Sequence, residues 1–217
     1  MWRSGVWAVA AVAETLAVYV DGFNLYHGLH QATARKHLWL DLGALAQSLR
    51  PQSVLTKVMY FTAPVLNDTA GLSNQQDYLA ALVAQNPGLI EVVQGRYQSK
   101  TKNCGRCGNS WTAYEEKETD VNIAVNLVAD AANKLTNAAL IISADSDLAP
   151  GVRLARQLNP ALFVAAAFPP RRVSNELMTL MPASFHIGMR KIRSSQLPAT
   201  VVDAATGKQW RRPAKWR

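Results

Sequence analysis

Two kinds of apolar pattern alternate along the chain. The first is short and continuous. Leu16-Ala17-Val18-Tyr19-Val20 is apolar at every position and ends at Asp21-Gly22, as in a strand covered on both faces within a parallel sheet. Residues 54–63, 89–97, 138–142, 162–168 and the short 185–187 repeat the signal and predict five further strands. The second pattern has helical spacing. It predicts helices over 24–36, over a short segment to Leu49 capped by Asp41 and stopped by Pro51, over 73–85, 120–134, 147–158 and 175–180. Tyr78, Leu79, Leu82 and Val83 share one face of the third helix, and Asn86-Pro87-Gly88 breaks it. Thr119 is the expected cap of the fourth, whose core stripe is Ile123, Ala124, Leu127, Val128 and Ala131. Pro150 is tolerated in the first turn of the fifth. Residues 98–111 read as a polar, irregular stretch. Strand–helix alternation predicts an α/β fold: a three-layer α/β/α sandwich around a central, mainly parallel sheet.

The 217 residues suit one large domain, and 49% hydrophobic with 18% charged residues is ordinary globular composition. No apolar run is long enough to span a bilayer, so no membrane partner is expected. Residues 1–15 read as a leader: Arg3 and the apolar stretch from Val6 to Ala13 outline a signal peptide but run almost directly into the first strand. Residues 16–188 form the domain and 189–217 a basic extension. That extension holds eight cations against Asp203 alone, a net +7 of the whole chain's +8, which suggests a polyanionic partner or a solvated tail. The two cysteines, Cys104 and Cys107, are too close together for a structural disulfide framework, and a cytoplasmic protein is expected.

Ligands of such sheets bind beyond the carboxyl ends of the strands. Asp21 directly follows the first strand, and Asp145 and Asp147 follow the fourth. Asp120 lies on the same helical stripe as Ala124, Leu127 and Ala131 and so points towards the sheet. Each acid also has a simpler role, as helix cap, dipole partner or turn residue. Together at one sheet edge, the four suit a hard divalent cation, Mg²⁺ or Mn²⁺, and hydrolysis of a phosphodiester without a nucleophilic side chain. Asn24, one turn beyond Asp21, is either a helix cap or a holder of metal-bound water or phosphate.

Three separated blocks carry a resemblance: Val18-Tyr19-Val20-Asp21-Gly22-Phe23-Asn24, Glu118-Thr119-Asp120-Val121-Asn122-Ile123-Ala124, and Ile142-Ser143-Ala144-Asp145-Ser146-Asp147-Leu148. With a closing block at Ala167-Phe168-Pro169-Pro170 and Ser174-Asn175-Glu176-Leu177, the chain resembles the NYN domain family over residues 16–187. That family lies within the PIN-like nuclease superfamily and includes the LabA-like bacterial proteins. The resemblance implies a PIN-like, Rossmannoid fold, metal-dependent cleavage of RNA, and an acidic catalytic and metal-binding set at Asp21, Asp120, Asp145 and Asp147. It also implies a catalytic role for Asn24 and a substrate contact at Ser143. Many members carry a further acid where Asn126 stands here, which leaves the metal count open.

Cys104-Gly105-Arg106-Cys107-Gly108 has the form of one zinc knuckle, but the sequence offers no second pair to complete a Zn²⁺ site within one chain. A turn with two free thiols, or a site shared between chains, fits as well. Lys117 and Arg96 flank the acidic edge and are candidate substrate-binding residues. Trp210, Arg211, Arg212, Lys215 and Trp216 interleave aromatics with cations, as in segments that stack on unpaired bases; the tryptophans equally suit packing on the body. The expected function is a metal-dependent endoribonuclease with RNA as partner. The alternatives are an RNA-binding or regulatory protein with little turnover and, ranked lower, an aspartyl phosphatase, because Phe23 stands where the general acid of such an enzyme belongs.

Overall fold

The structure is a computed structural model that describes residues 13–216; most of the expected leader lies outside the described residues. In chain order the elements are β1 (Thr15–Asp21), α1 (Gly22–Thr33), α2 (Leu42–Leu49), β2 (Val54–Thr62), α3 (Thr69–Gln85), β3 (Ile90–Gln94), β4 (Arg96–Asn103) and β5 (Ser110–Lys117). They continue with α4 (Thr119–Ala132), β6 (Ala138–Ile142), a 3₁₀ turn (Ser146–Leu148), α5 (Ala149–Leu158), β7 (Phe163–Phe168) and α6 (Asn175–Leu180). The chain closes with β8 (Phe185–His186), α7 (Met189–Ser194), β9 (Thr200–Val202), β10 (Gln209–Arg211) and a second 3₁₀ turn (Ala214–Trp216).

Six strands form one sheet in the order β3-β2-β1-β6-β7-β8, every pairing parallel. The chain moves outward from β1 to β2 and β3, then returns to the far side of β1 with β6. The strand order therefore reverses between β1 and β6.

The central strand explains its own composition. Leu16, Val18 and Val20 of β1 enter one core with Leu25, Leu42, Leu45, Tyr78 and Leu82. Ala17 and Tyr19 enter the other with Ile123, Leu127, Val152 and Leu177. A strand sealed on both faces has no place for a polar side chain until it leaves the sheet. Asp41, Asp68 and Ser174 cap α2, α3 and α6 through side-chain oxygens. Helices α4 and α5 meet closely at Gly151, where a Cβ would lie 2.8 Å from that of Ala124.

Several expectations need correction. Residues 89–97 are not one strand: Gly95 separates β3 from β4. The stretch read as irregular is an antiparallel hairpin, β4 with β5, paired from Arg96↔Lys117 to Asn103↔Ser110. Its side chains are mostly polar because both faces are largely exposed, so no apolar alternation marks it. The cap position of α4 is Glu118, at φ 80°, rather than Thr119. Of the readings left open for the basic segment, the structure has the one packed on the body. Ile192, Leu197, Val201 and Trp210 are buried in the α1–α3 core, and Trp39 Nε1 donates to the carbonyl of Pro198 at 2.7 Å. Trp210 is thus withheld from stacking on bases, and the Trp216 ring packs 6.0 Å from that of Tyr78.

One polar group is embedded in the second core. The Tyr19 hydroxyl donates to Asp130, and Lys57 pairs with the same carboxylate. Burial, and then the Asp130 carboxylate, push the tyrosine's pKa far up, so it stays protonated as the donor. Removing the acceptor strands a buried hydroxyl and a half-buried ammonium. Asp130→Ala is expected to lower unfolding free energy by about 3 kcal/mol. In urea titrations the midpoint should fall at unchanged slope.

Candidate functional site

Asp21 is where β1 stops being sealed, yet its carboxylate is still only 3% exposed. Two elements satisfy it. Oδ1 accepts the backbone N–H of Asn24 at 2.9 Å, which makes Asp21 the cap of α1. Oδ2 accepts the Ser143 hydroxyl at 2.8 Å. Ser143 directly follows β6, so this bond crosses the sheet edge at the point where strand order reverses. The same Ser143 Oγ accepts the N–H of Asp145 at 3.0 Å. Asn24 Oδ1 accepts the N–H of Ala144 at 3.1 Å, tying the loop after β6 to α1. Gly22 allows this seating: a Cβ there would meet the carbonyl oxygen of Phe61 at 2.6 Å.

The electrostatics are unfavourable for a lone anion. Burial raises the Asp21 pKa first; the N–H of Asn24 and the Ser143 hydroxyl oppose this, and the nearby negative charge of Asp145 adds to it. Two carboxylates facing one another, one of them buried, are what a divalent cation relieves. The donors are hard oxygens, and each engaged oxygen keeps a second lone pair. Such a pair fits Mg²⁺ or Mn²⁺ with water and substrate completing the shell, the usual arrangement for Mg²⁺.

Asp145 is half-buried and accepts the N–H of Asp147 at 3.0 Å through Oδ1, closing the 3₁₀ turn. Asp147 is exposed on that turn. Asp120, partly buried, sits in the first turn of α4, which packs against the turn. Among the described residues no three His, Cys, Asp or Glu side chains gather closely enough to hold an ion by themselves. The structure therefore brings Asp21 and Asp145 together, not the four-carboxylate cage expected from sequence. The reason is local: Asp145 turns one oxygen to cap the next turn, and Asp147 projects outward from it.

Other expected residues find different roles. Ser143 is fully buried and bonds the Asp21 carboxylate and the backbone N–H of Asp145. Asn24 anchors a loop, and the helix cap is Asp21. Asn126 donates its amide to the carbonyl of Asn122 one turn back. Arg96 is exposed and paired with Glu118; a pair so exposed is worth at most about 1 kcal/mol. Lys117 ends β5 opposite Arg96 and is exposed.

Two features escaped sequence reasoning. Glu118 holds a left-handed backbone directly before Thr119 and Asp120; such strain in a non-glycine residue concentrates at functional sites. A cavity of about 700 Å³ lies on the α1–α3 side, walled by Gly22, Phe23, Tyr60, Tyr78, Trp111 and Trp216 among others. The two carboxylates are not part of its wall. Gly22 and Phe23 are, so cavity and acidic pair abut through one backbone segment.

Comparison with known proteins agrees with this architecture. A sequence model of the NYN domain matches residues 15–185. The chain is 25% identical to 6-hydroxy-3-succinoylpyridine 3-monooxygenase HspA of Pseudomonas putida, over 85% of this chain and 70% of that protein. A crystal structure of a protein of unknown function from Vibrio parahaemolyticus superposes with a TM-score of 0.59 at 18% identity, covering 82% of this chain and 96% of the other; it has the same fold. With a match over most of its length, the chain belongs to the NYN domain family and has that family's nuclease-like fold.

Proposed function

We propose that the protein is a divalent-cation-dependent ribonuclease that hydrolyses RNA phosphodiester bonds at the β1–β6 edge. One observation carries the reading: a buried carboxylate, Asp21, is bridged by Ser143 to the segment holding Asp145, where strand order reverses and ligands of such sheets bind. Asp21 and Asp145 would hold the ion, and Asp120 and Asp147 would reach it through water. A bound Mg²⁺ or Mn²⁺ supplies Lewis acidity that lowers the pKa of water and offsets phosphate charge. The chain's part is to hold both carboxylates in place, through Ser143, the N–H of Asn24 and the N–H of Asp147. Lys117 and Arg96 would contact the phosphates of the substrate backbone.

A second reading is favoured by the aromatic-walled cavity: conversion of a small heteroaromatic compound, the class of substrate named for HspA. Its volume is in the range of small-molecule sites. Incubation with labelled RNAs and, separately, oxygen uptake with hydroxypyridines divides the two. The ribonuclease reading expects RNA cleavage with Mn²⁺, none in EDTA, and a loss of at least about 100-fold in kcat for Asp145→Asn, roughly 2.7 kcal/mol of transition-state stabilisation. Cleavage undiminished by EDTA or by that variant rejects it.

The buried charge gives a second prediction. Asp21 has a folded pKa above its ordinary value of 3.8. Its protonated form is the one the fold favours, so that contribution to stability is present below about pH 3.8 and is lost as pH rises through the folded value. Asp21→Asn removes the buried charge. The variant's Tm should exceed the wild type's by a margin that grows from about pH 4 towards neutrality, and Mn²⁺ should close the gap by stabilising the wild type alone. A margin that shrinks with rising pH, or equal Mn²⁺ shifts in both proteins, contradicts the assignment.

A further inference from the structure

The tip of the β4–β5 hairpin is shaped for sulfur ligands and plays no part in the acidic site. Strand pairing ends at Asn103↔Ser110, and Ser110 Oγ donates to Asn103 Oδ1 at 2.8 Å. Within the six-residue loop, the N–H of Cys104 donates to the carbonyl of Asn109 at 2.7 Å, and the N–H of Gly108 to that of Cys104 at 2.9 Å. Gly108 has φ 70°, a left-handed turn that a glycine adopts without strain. The fold of this loop turns the N–H groups of Arg106 and Cys107 onto the Cys104 sulfur, and the Cys107 thiol lies within hydrogen-bond reach of it. These donors hold the Cys104 thiol below its ordinary range. Two sulfurs side by side, with backbone N–H groups aimed at one of them, form half of a tetrahedral thiolate site.

The other half is not found among the described residues. Among the described residues no third His, Cys, Asp or Glu stands with the pair, whereas a structural zinc site needs four ligands. Cys107 is exposed and Cys104 partly so, and neither lines the cavity. Charge also points to an occupant. Lys100, Lys102 and Arg106 are the charged residues between Ser99 and Asn109, and all are cations. Four thiolates round a divalent ion leave a net charge of about −2, which suits a tip that carries cations. A second copy of the chain brings the missing pair with two-fold symmetry.

We propose that Cys104 and Cys107 of two copies of this chain together bind one Zn²⁺-class ion, so that the hairpin tips form a metal-made dimer clasp. The hairpin also supplies Tyr97, Trp111 and Tyr114 to the cavity wall, so the clasp would hold that wall in place.

The test uses the reduced full-length protein and Co²⁺ as probe. Co²⁺ should give the intense thiolate charge-transfer absorption of a tetrahedral sulfur site, saturating at about one ion per two chains, with a monomer-to-dimer shift in sedimentation over the same titration. Oxygen-ligated Co²⁺ at the acidic edge lacks that absorption, and Asp21→Asn should leave both signals in place, so the two sites are read apart. Cys104→Ser and Cys107→Ser should each abolish absorption and dimer while the far-ultraviolet dichroism stays native. Saturation at about one ion per chain in a monomer overturns the shared site, as does a dimer that forms without metal or survives in Cys104→Ser. Absence of the thiolate absorption overturns the metal site itself.

Discussion

A carboxylate at the end of a strand that is apolar on both faces has to be held by something, and here it is held by the next strand over. Asp21 is nearly inaccessible to solvent, and the hydroxyl that satisfies one of its oxygens comes from Ser143, just past β6. The same hydroxyl receives the backbone of Asp145. One side chain thus joins the Asp21 carboxylate to the backbone of Asp145 at the reversal of the sheet order. The α1 cap and the Asn24 tie to Ala144 fix the loop from the other side. Everything proposed about cation binding depends on this small bonded unit.

The sheet and its helices were largely legible because the physics that forms them is written locally. A strand buried on both faces must be continuously apolar, and β1 and β6 are; the helix from Leu42 and that from Asn175 begin after side-chain caps visible in sequence. The β4–β5 hairpin was not legible, since strands exposed on both faces carry no alternation to read. The packing of the basic segment on the body was one of two readings that the sequence left open. Its few anchors, Ile192, Leu197, Val201 and Trp210, are spread over about twenty residues rather than grouped at a helical or strand period.

The site was legible in part. Chain order placed the acids at one edge, and the Asp21–Asp145 meeting follows from β1 and β6 being neighbours. Side-chain direction could not be read the same way. Whether Asp145 points at a partner or back at its own turn is decided by a bond to the N–H two residues on, and the burial of Ser143 at a strand end depends on the neighbouring strand. The strained Glu118 has no signature in a single sequence, because a left-handed glutamate is imposed by the hairpin before it and the helix after it. The aromatic cavity was invisible for a similar reason: it draws its walls from α1, β2, α3, the hairpin and the C-terminal turn.

The acidic pair, the cavity and the hairpin tip are separate features of one scaffold, and the proposed function rests on the pair at the switch point. Its central claim is that an ion sits between Asp21 and Asp145. Anomalous diffraction from crystals soaked in Mn²⁺ tests it most directly. The account predicts a peak about 2.2 Å from a carboxylate oxygen of each residue, lost in Asp21→Asn crystals. A peak elsewhere with nothing between the two, or one that persists in that variant, would contradict it.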